Sequence, residues 1–345
     1  MPELLSRLQK YQAPPRATLR FAQDLTLRLW QNRRLRQLTW LSLSAFGIFV
    51  LAAQISFVHL PNIFGPTVSL VGGDHPFGYD AWSYYNAHAG ANAYVGTATT
   101  AGLGPWRYAP LWLPLLVPLQ TLSFPAFAYV MAAIETASLL YLTRRWFFAS
   151  FIYVPVFIEL YEGNVYLLSA ALIVFALRHS GGRRPAGAAA YAVLAFTKVS
   201  PFAVTAYYAF RREWRPLIVA CGAVTALSAI GYLADPTTWN AWINSINNTA
   251  AGPDSSPLGL GLEMRGYLVL LVLLLAAWRR WPALVLVAAF LALPAIWWHS
   301  YSMLIAIPAA AASMPLERSS TRPKSEATAA SMRLGEAAPS QPQTG

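Results

Sequence analysis

Asp80 is the carboxylate in this chain best placed for chemistry. It sits in the segment GYDAWSYYNAHAG at residues 78–90, just past the first apolar run of membrane length, among Tyr79, Trp82, Tyr84 and Tyr85. Charged residues make up only 11% of the chain, so an acid at that depth reads as functional. A general base needs an oxygen within hydrogen-bond reach of a substrate hydroxyl. A half-buried site among rings would also raise a carboxyl's pKa toward neutrality. A second reading stays open: Asp is a favoured N-cap, and a helix is expected to start at Ala81.

Other groups could join it. Lys198 interrupts the apolar hairpin AVLAFTKVSPFAV, where an unpaired ammonium is expensive; it either snorkels or meets a phosphate. His299 follows Trp297 and Trp298 at the end of a late apolar run. Arg107 and Arg265 are the arginines that the charge pattern puts outside, each suited to fork onto a lipid phosphate. Glu162 and Asn164 mark a hairpin tip, where a lone Glu is expected to be solvated, and GGDHPFG at 72–78 reads as a Gly/Pro-framed turn. The sequence contains no H-E-x-x-H, P-loop, G-x-G-x-x-G or cysteine metal motif. With few carboxylates near Asp80, neither a metal nor another cofactor is expected.

The elements that must hold these residues are helices in a bilayer. The chain has 345 residues, of which 56% are hydrophobic, and 13 are Trp; its mean hydropathy is +0.42. Soluble domains carry about 25% charged residues, and long apolar runs rather than ten-residue alternation exclude a β-barrel. The sequence therefore predicts an all-α, polytopic integral membrane protein of about 10–11 transmembrane or partly inserted helices. A net charge of +11 would suit nucleic acid if it formed one patch. The basic residues instead fall in short clusters between apolar runs, so membrane lipids and not nucleic acid are the expected partners. The single Cys221 excludes an intrachain disulfide.

Residues 1–38 form a basic arm, too long for a signal n-region, so the first span is expected to stay as an anchor. Its 17–36 stretch reads either as a helix on the cytoplasmic leaflet or as a solvated topogenic arm. Residues 39–315 form the membrane domain, with its first span at 39–60, and the polar 316–345 tail is expected to be disordered. Clusters such as Arg144/Arg145, Arg178/Arg183/Arg184, Arg211/Arg212/Arg215 and Arg279/Arg280 belong in the cytoplasm. The long first loop at 61–107, the tip at 161–164, the Lys198 break, the 235–263 loop and WWHSY at 297–301 then share the external face. Residues 109–143 hold two apolar segments where the charge pattern allows one net crossing. Either 109–122 dips in and returns, or Arg144/Arg145 breaks the pattern.

In this order the residues resemble the GT-C glycosyltransferases, specifically the polyprenol-phosphate-mannose-dependent mannosyltransferases that include the enzyme extending mycobacterial phosphatidylinositol mannosides. The resemblance runs over about 40–315. It rests on Asp80 with Tyr84, on RYAPLWLPLLVPL at 107–119 including Tyr108, on Gly163-Asn164, on Lys198 to Pro201, and on Trp297 to His299. Ala109 stands where the family has a first Pro, and Glu162-Gly163-Asn164 replaces a fuller G-Q-x-N. The resemblance implies a GT-C-like fold and inverting transfer of a sugar, mannose in that family, from a polyprenyl-phosphate donor to a lipid or glycan acceptor outside the cytoplasm. Asp80 would be the general base. Lys198, Arg107 and His299 would stabilise charge on the departing phosphate, and Arg265, Tyr84, Tyr108 and Asn164 would line the substrate site. The alternative is a membrane protein that binds or moves polyprenyl lipids without catalysis, for which a base opposite cations has no use.

Overall fold

The computed structural model describes residues 33–57, 68–69, 74–75, 77–94, 108–179, 186–249, 260–294 and 296–313. Arg107, most of the basic arm and the tail lie outside the described residues. Within them the chain is all-helical apart from a two-residue antiparallel pair, in which Ser69 faces Asp74.

Helix α1 (Arg33–Phe57) contains the start of the expected first span. Helix α2 (Tyr79–Tyr85) lies inside the long first loop. A 3₁₀ turn, Pro110–Trp112, leads into α3 (Leu113–Gln120) and then α4 (Phe124–Thr143). Both α3 and α4 open with proline in the first turn, where the missing N–H would have had no intrahelical partner. At 8 residues α3 is about 12 Å long, too short to cross hydrocarbon, whereas the 20-residue α4 reaches about 30 Å. Between residues 109 and 143, α4 is thus the full-length crossing, and α3 is a short companion.

Next come α5 (Val154–Glu162) and α6 (Tyr166–His179), bent by 109° across a short break. Helix α7 (Ala186–Thr197) ends just before Lys198, followed by a 3₁₀ stretch at Ser200–Thr205, α8 (Ala206–Phe210) and α9 (Trp214–Ala234). About half of the expected 235–263 loop is a helix, α10 (Pro236–Thr249). Helix α11 (Leu262–Arg279) and α12 (Ala283–Leu291) then precede the 3₁₀ stretch Trp298–Ala306 and α13 (Ile307–Ala311). Among the described residues two helices, at 124–146 and 214–234, are each long and apolar enough to span a bilayer, or three spans if the bent α5–α6 pair counts as one. The other apolar segments are shorter helices, a form tolerated at membrane depth where protein or a cavity covers the backbone.

Two apolar clusters organise the bundle. One joins α6, α7, α11 and α12 through Leu167, Ile173, Leu194, Leu273 and Leu286. The other gathers around α2, with Ala81 and Tyr84 packed against Leu116, Phe127, Met131 and Tyr161. By contrast, Ile218, Ile230 and Leu233 on α9 and Leu270, Leu271 and Trp278 on α11 are exposed, as lipid-facing side chains would be.

Candidate active site

Two glycines in left-handed backbone conformations bring the site together. Gly78 (φ 74°) precedes α2 and donates its N–H to Tyr161 O at 2.9 Å, tying the first loop to the end of α5. Gly163 (φ 70°) ends α5, where a Cβ would meet Ala81 Cβ at 3.0 Å. Only glycine takes that conformation without cost and leaves room for α2. The 109° bend then turns Asn164 toward the first loop. Asp80 does not cap its helix: α2 begins at Tyr79, its N-cap is Gly78, and no side chain caps it. The Asp80 carboxylate instead meets Asn164.

Asn164 is the hub. Its Oδ1 accepts from Val165 N–H at 2.7 Å and lies 3.0 Å from the Tyr84 hydroxyl and 3.3 Å from that of Tyr108. Its Nδ2 donates to Asp80 Oδ2 at 2.5 Å and lies 3.1 Å from His299 Nε2. His299 Nε2 is 3.7 Å from Asp80 Oδ2, and its Nδ1 is 2.6 Å from Glu162 Oε2. Tyr84 and Tyr108 share a 2.5 Å hydroxyl contact. Lys198 Nζ donates to Tyr108 Oη at 3.3 Å and sits 3.6 Å from the centre of the Tyr166 ring. Asp80 keeps 23% side-chain exposure, so the network reaches the surface at the base. Burial pushes the Asp80 carboxyl above the usual carboxylate range.

Asp80, Tyr84, Tyr108, Asn164, Lys198 and His299 are therefore joined in one network, although they are spread over 220 positions of sequence (299 − 80 + 1). None of these contacts joins Arg265 to it, and its burial departs from the expectation of a residue open to a lipid phosphate. It is fully buried, and its guanidinium donates to the carbonyls of Leu293 (2.5 Å) and Pro294 (2.9 Å). A guanidinium so engaged braces the chain leading to His299, because two backbone carbonyls past the end of α12 need donors.

Three acids depart from the sequence reading. Glu162 is buried against His299 rather than solvated. Glu135 and Glu159 were not singled out, yet both are fully buried at the start of α6. Glu135 accepts from Leu167 N–H at 3.0 Å and Leu168 N–H at 3.3 Å, and Glu159 from Tyr166 N–H at 2.5 Å. The signal was present, since each is an acid inside an apolar run. Lys198 also has acids for neighbours: Glu159, Asp80 and Glu135 lie near enough to act on its ammonium.

The premise of few carboxylates near Asp80 fails as well. Asp80, Glu162 and His299 form a group whose donor atoms lie within 4.8 Å of one another, close enough for a cation. The hydrogen bonding fits a metal poorly: the two carboxylates flank different ring nitrogens, and the Asn164 NH₂ lies between Asp80 and Nε2.

The described residues form an all-helical membrane bundle around this network. The family model for glycosyltransferase family 87 matches residues 106–316, more than half of the chain, and the protein belongs to that family. The matched stretch holds Tyr108, Asn164, Lys198, Arg265 and His299 and begins after Asp80. No curated protein and no solved structure matches the chain.

Proposed function

We propose that this glycosyltransferase moves a sugar, mannose by the resemblance, from a polyprenyl-phosphate donor to a hydroxyl of a lipid or glycan acceptor on the extracytoplasmic side. The observation that carries the reading is the Asp80 carboxylate, partly open at its edge, linked through Asn164 and Tyr108 to the Lys198 ammonium. Base and cation thus belong to one connected network, as displacement at an anomeric carbon would use them.

Asp80 takes the acceptor proton as the acceptor oxygen bonds to the anomeric carbon. The bond to the phosphate oxygen breaks with its electron pair, and configuration inverts. The leaving phosphate is already anionic and needs no acid; Lys198, held by Tyr108 and by the Tyr166 ring, offsets the charge that builds on it. The basic clusters at the opposite helix ends support an external site.

The test supplies membranes with labelled polyprenyl-phosphate sugars and determines the product and its anomeric configuration. Transfer from polyprenyl-phosphate mannose with inversion supports the reading. Retention of configuration, or use of a soluble nucleotide sugar alone, overturns it.

A further inference from the structure

Glu162 has no part in the chemistry just described, yet it is 7% exposed and lies 2.6 Å from His299 Nδ1. The hydrogen bonds around Asn164 determine what that contact does. The Val165 N–H occupies Oδ1 of Asn164, so the opposite edge of the amide, facing Asp80 and His299, is the NH₂ donor. A ring nitrogen 3.1 Å from that donor has to present a lone pair. His299 Nε2 is therefore the acceptor and Nδ1 carries the proton, which it donates to Glu162.

We infer that Glu162 is a positioning residue, the hydrogen-bond acceptor that holds His299 in the Nδ1–H form so that the Asn164 amide can serve Nε2 and the Asp80 carboxylate together. With the proton on Nε2 instead, two donors would face each other at 3.1 Å, and the amide that binds Asp80 Oδ2 would be pushed off. Gly163, between the two residues, directs Glu162 to one side of the imidazole and Asn164 to the other. Carboxylate orienters of this kind set the ring and tautomer of a working histidine. The consequence for rate rests on the base role of Asp80; the tautomer does not.

The experiment uses the full chain, ¹⁵N-labelled at histidine, in bilayers at mildly alkaline pH, with His299→Gln identifying the signal. Wild type is expected to show a protonated Nδ1 and a bare Nε2. Glu162→Gln keeps an acceptor oxygen at the same reach, and Glu162→Met keeps length without an acceptor. The Gln variant should retain the wild-type ring signals and nearly the wild-type kcat. The Met variant should populate Nε2–H and lose about tenfold or more in kcat, with the donor KM unchanged. A proton on Nε2 in wild type overturns the inference. So does a Met variant with wild-type signals and kcat, or a Gln variant as slow as Met, which would mean charge rather than an acceptor. An Asp80→Asn control run alongside separates the two claims: if it stays active, the base assignment fails, while the ring signals still decide the role of Glu162.

Discussion

Two pairs of acids surround the site, and they behave differently. The inner pair, Glu135 and Glu159, is fully buried, and its oxygens accept the N–H groups of Tyr166, Leu167 and Leu168 that open α6. A helix start is a ready anion site, and here the protein's own carboxyls occupy it. The outer pair, Asp80 and Glu162, binds side chains instead, and Asp80 keeps an exposed edge. An acid committed to backbone donors builds the fold, whereas one held by an amide with an edge free can take a substrate proton.

The sharpest break of this comparison is Asp80→Asn. Loss of a general base costs about 10²–10⁴-fold in kcat, and the variant should fold and express normally, because Asn still accepts from Asn164. More than half of wild-type turnover would remove Asp80 from the mechanism.

Lys198 feels members of both pairs and should show both behaviours. Lys198→Met should raise the donor KM and lower kcat while leaving the acceptor KM nearly unchanged, read from kinetics with each substrate varied. It should also lower the Tm, since Glu159, Glu135 and Asp80 lose their cation. Unmoved donor kinetics would make the lysine purely structural.

The inner pair should show the reverse of Asp80. Glu159→Ala or Glu135→Ala leaves α6 amides without acceptors, at about 1–3 kcal/mol each. The folded fraction that survives detergent chromatography should keep most of its specific activity. A dead but fully stable Glu159→Ala would overturn the division.

Gly163→Ala is a smaller perturbation. It forces a left-handed φ on a residue with a Cβ, at about 1–2 kcal/mol, and presses on Ala81. Tm should fall modestly, and kcat with it, because Glu162 and Asn164 diverge at this residue.

The pH dependence is the finest test. Since burial raises the Asp80 pKa, the acid limb of kcat/KM should lie above about 3.9, the ordinary Asp value, with activity rising as pH rises and the base ionises. Stability runs the other way. Across the window from the ordinary to the raised value the folded state binds more protons than the unfolded chain, so this residue's contribution declines as pH rises. Asp80→Asn should abolish the acid limb and remove this residue's share of the Tm trend, measured by initial rates and by Tm against pH.

Composition and the order of residues along the chain were enough to establish a helical membrane protein, the aromatic segment around Asp80, and Lys198, Asn164 and His299 as groups worth attention. Those are local properties: an apolar run or an ion within it costs or gains free energy wherever the chain folds. Which groups meet is not local. Asn164 and His299 are 135 residues apart and meet because of a 109° bend and a glycine that admits α2. Glu162 read as a solvated tip and Arg265 as an external cation, since isolated charges favour water. Tertiary structure reversed both by supplying buried partners, a ring N–H for one and two backbone carbonyls for the other. A charge's partner is decided by proximity after folding, and sequence separation carries no record of it.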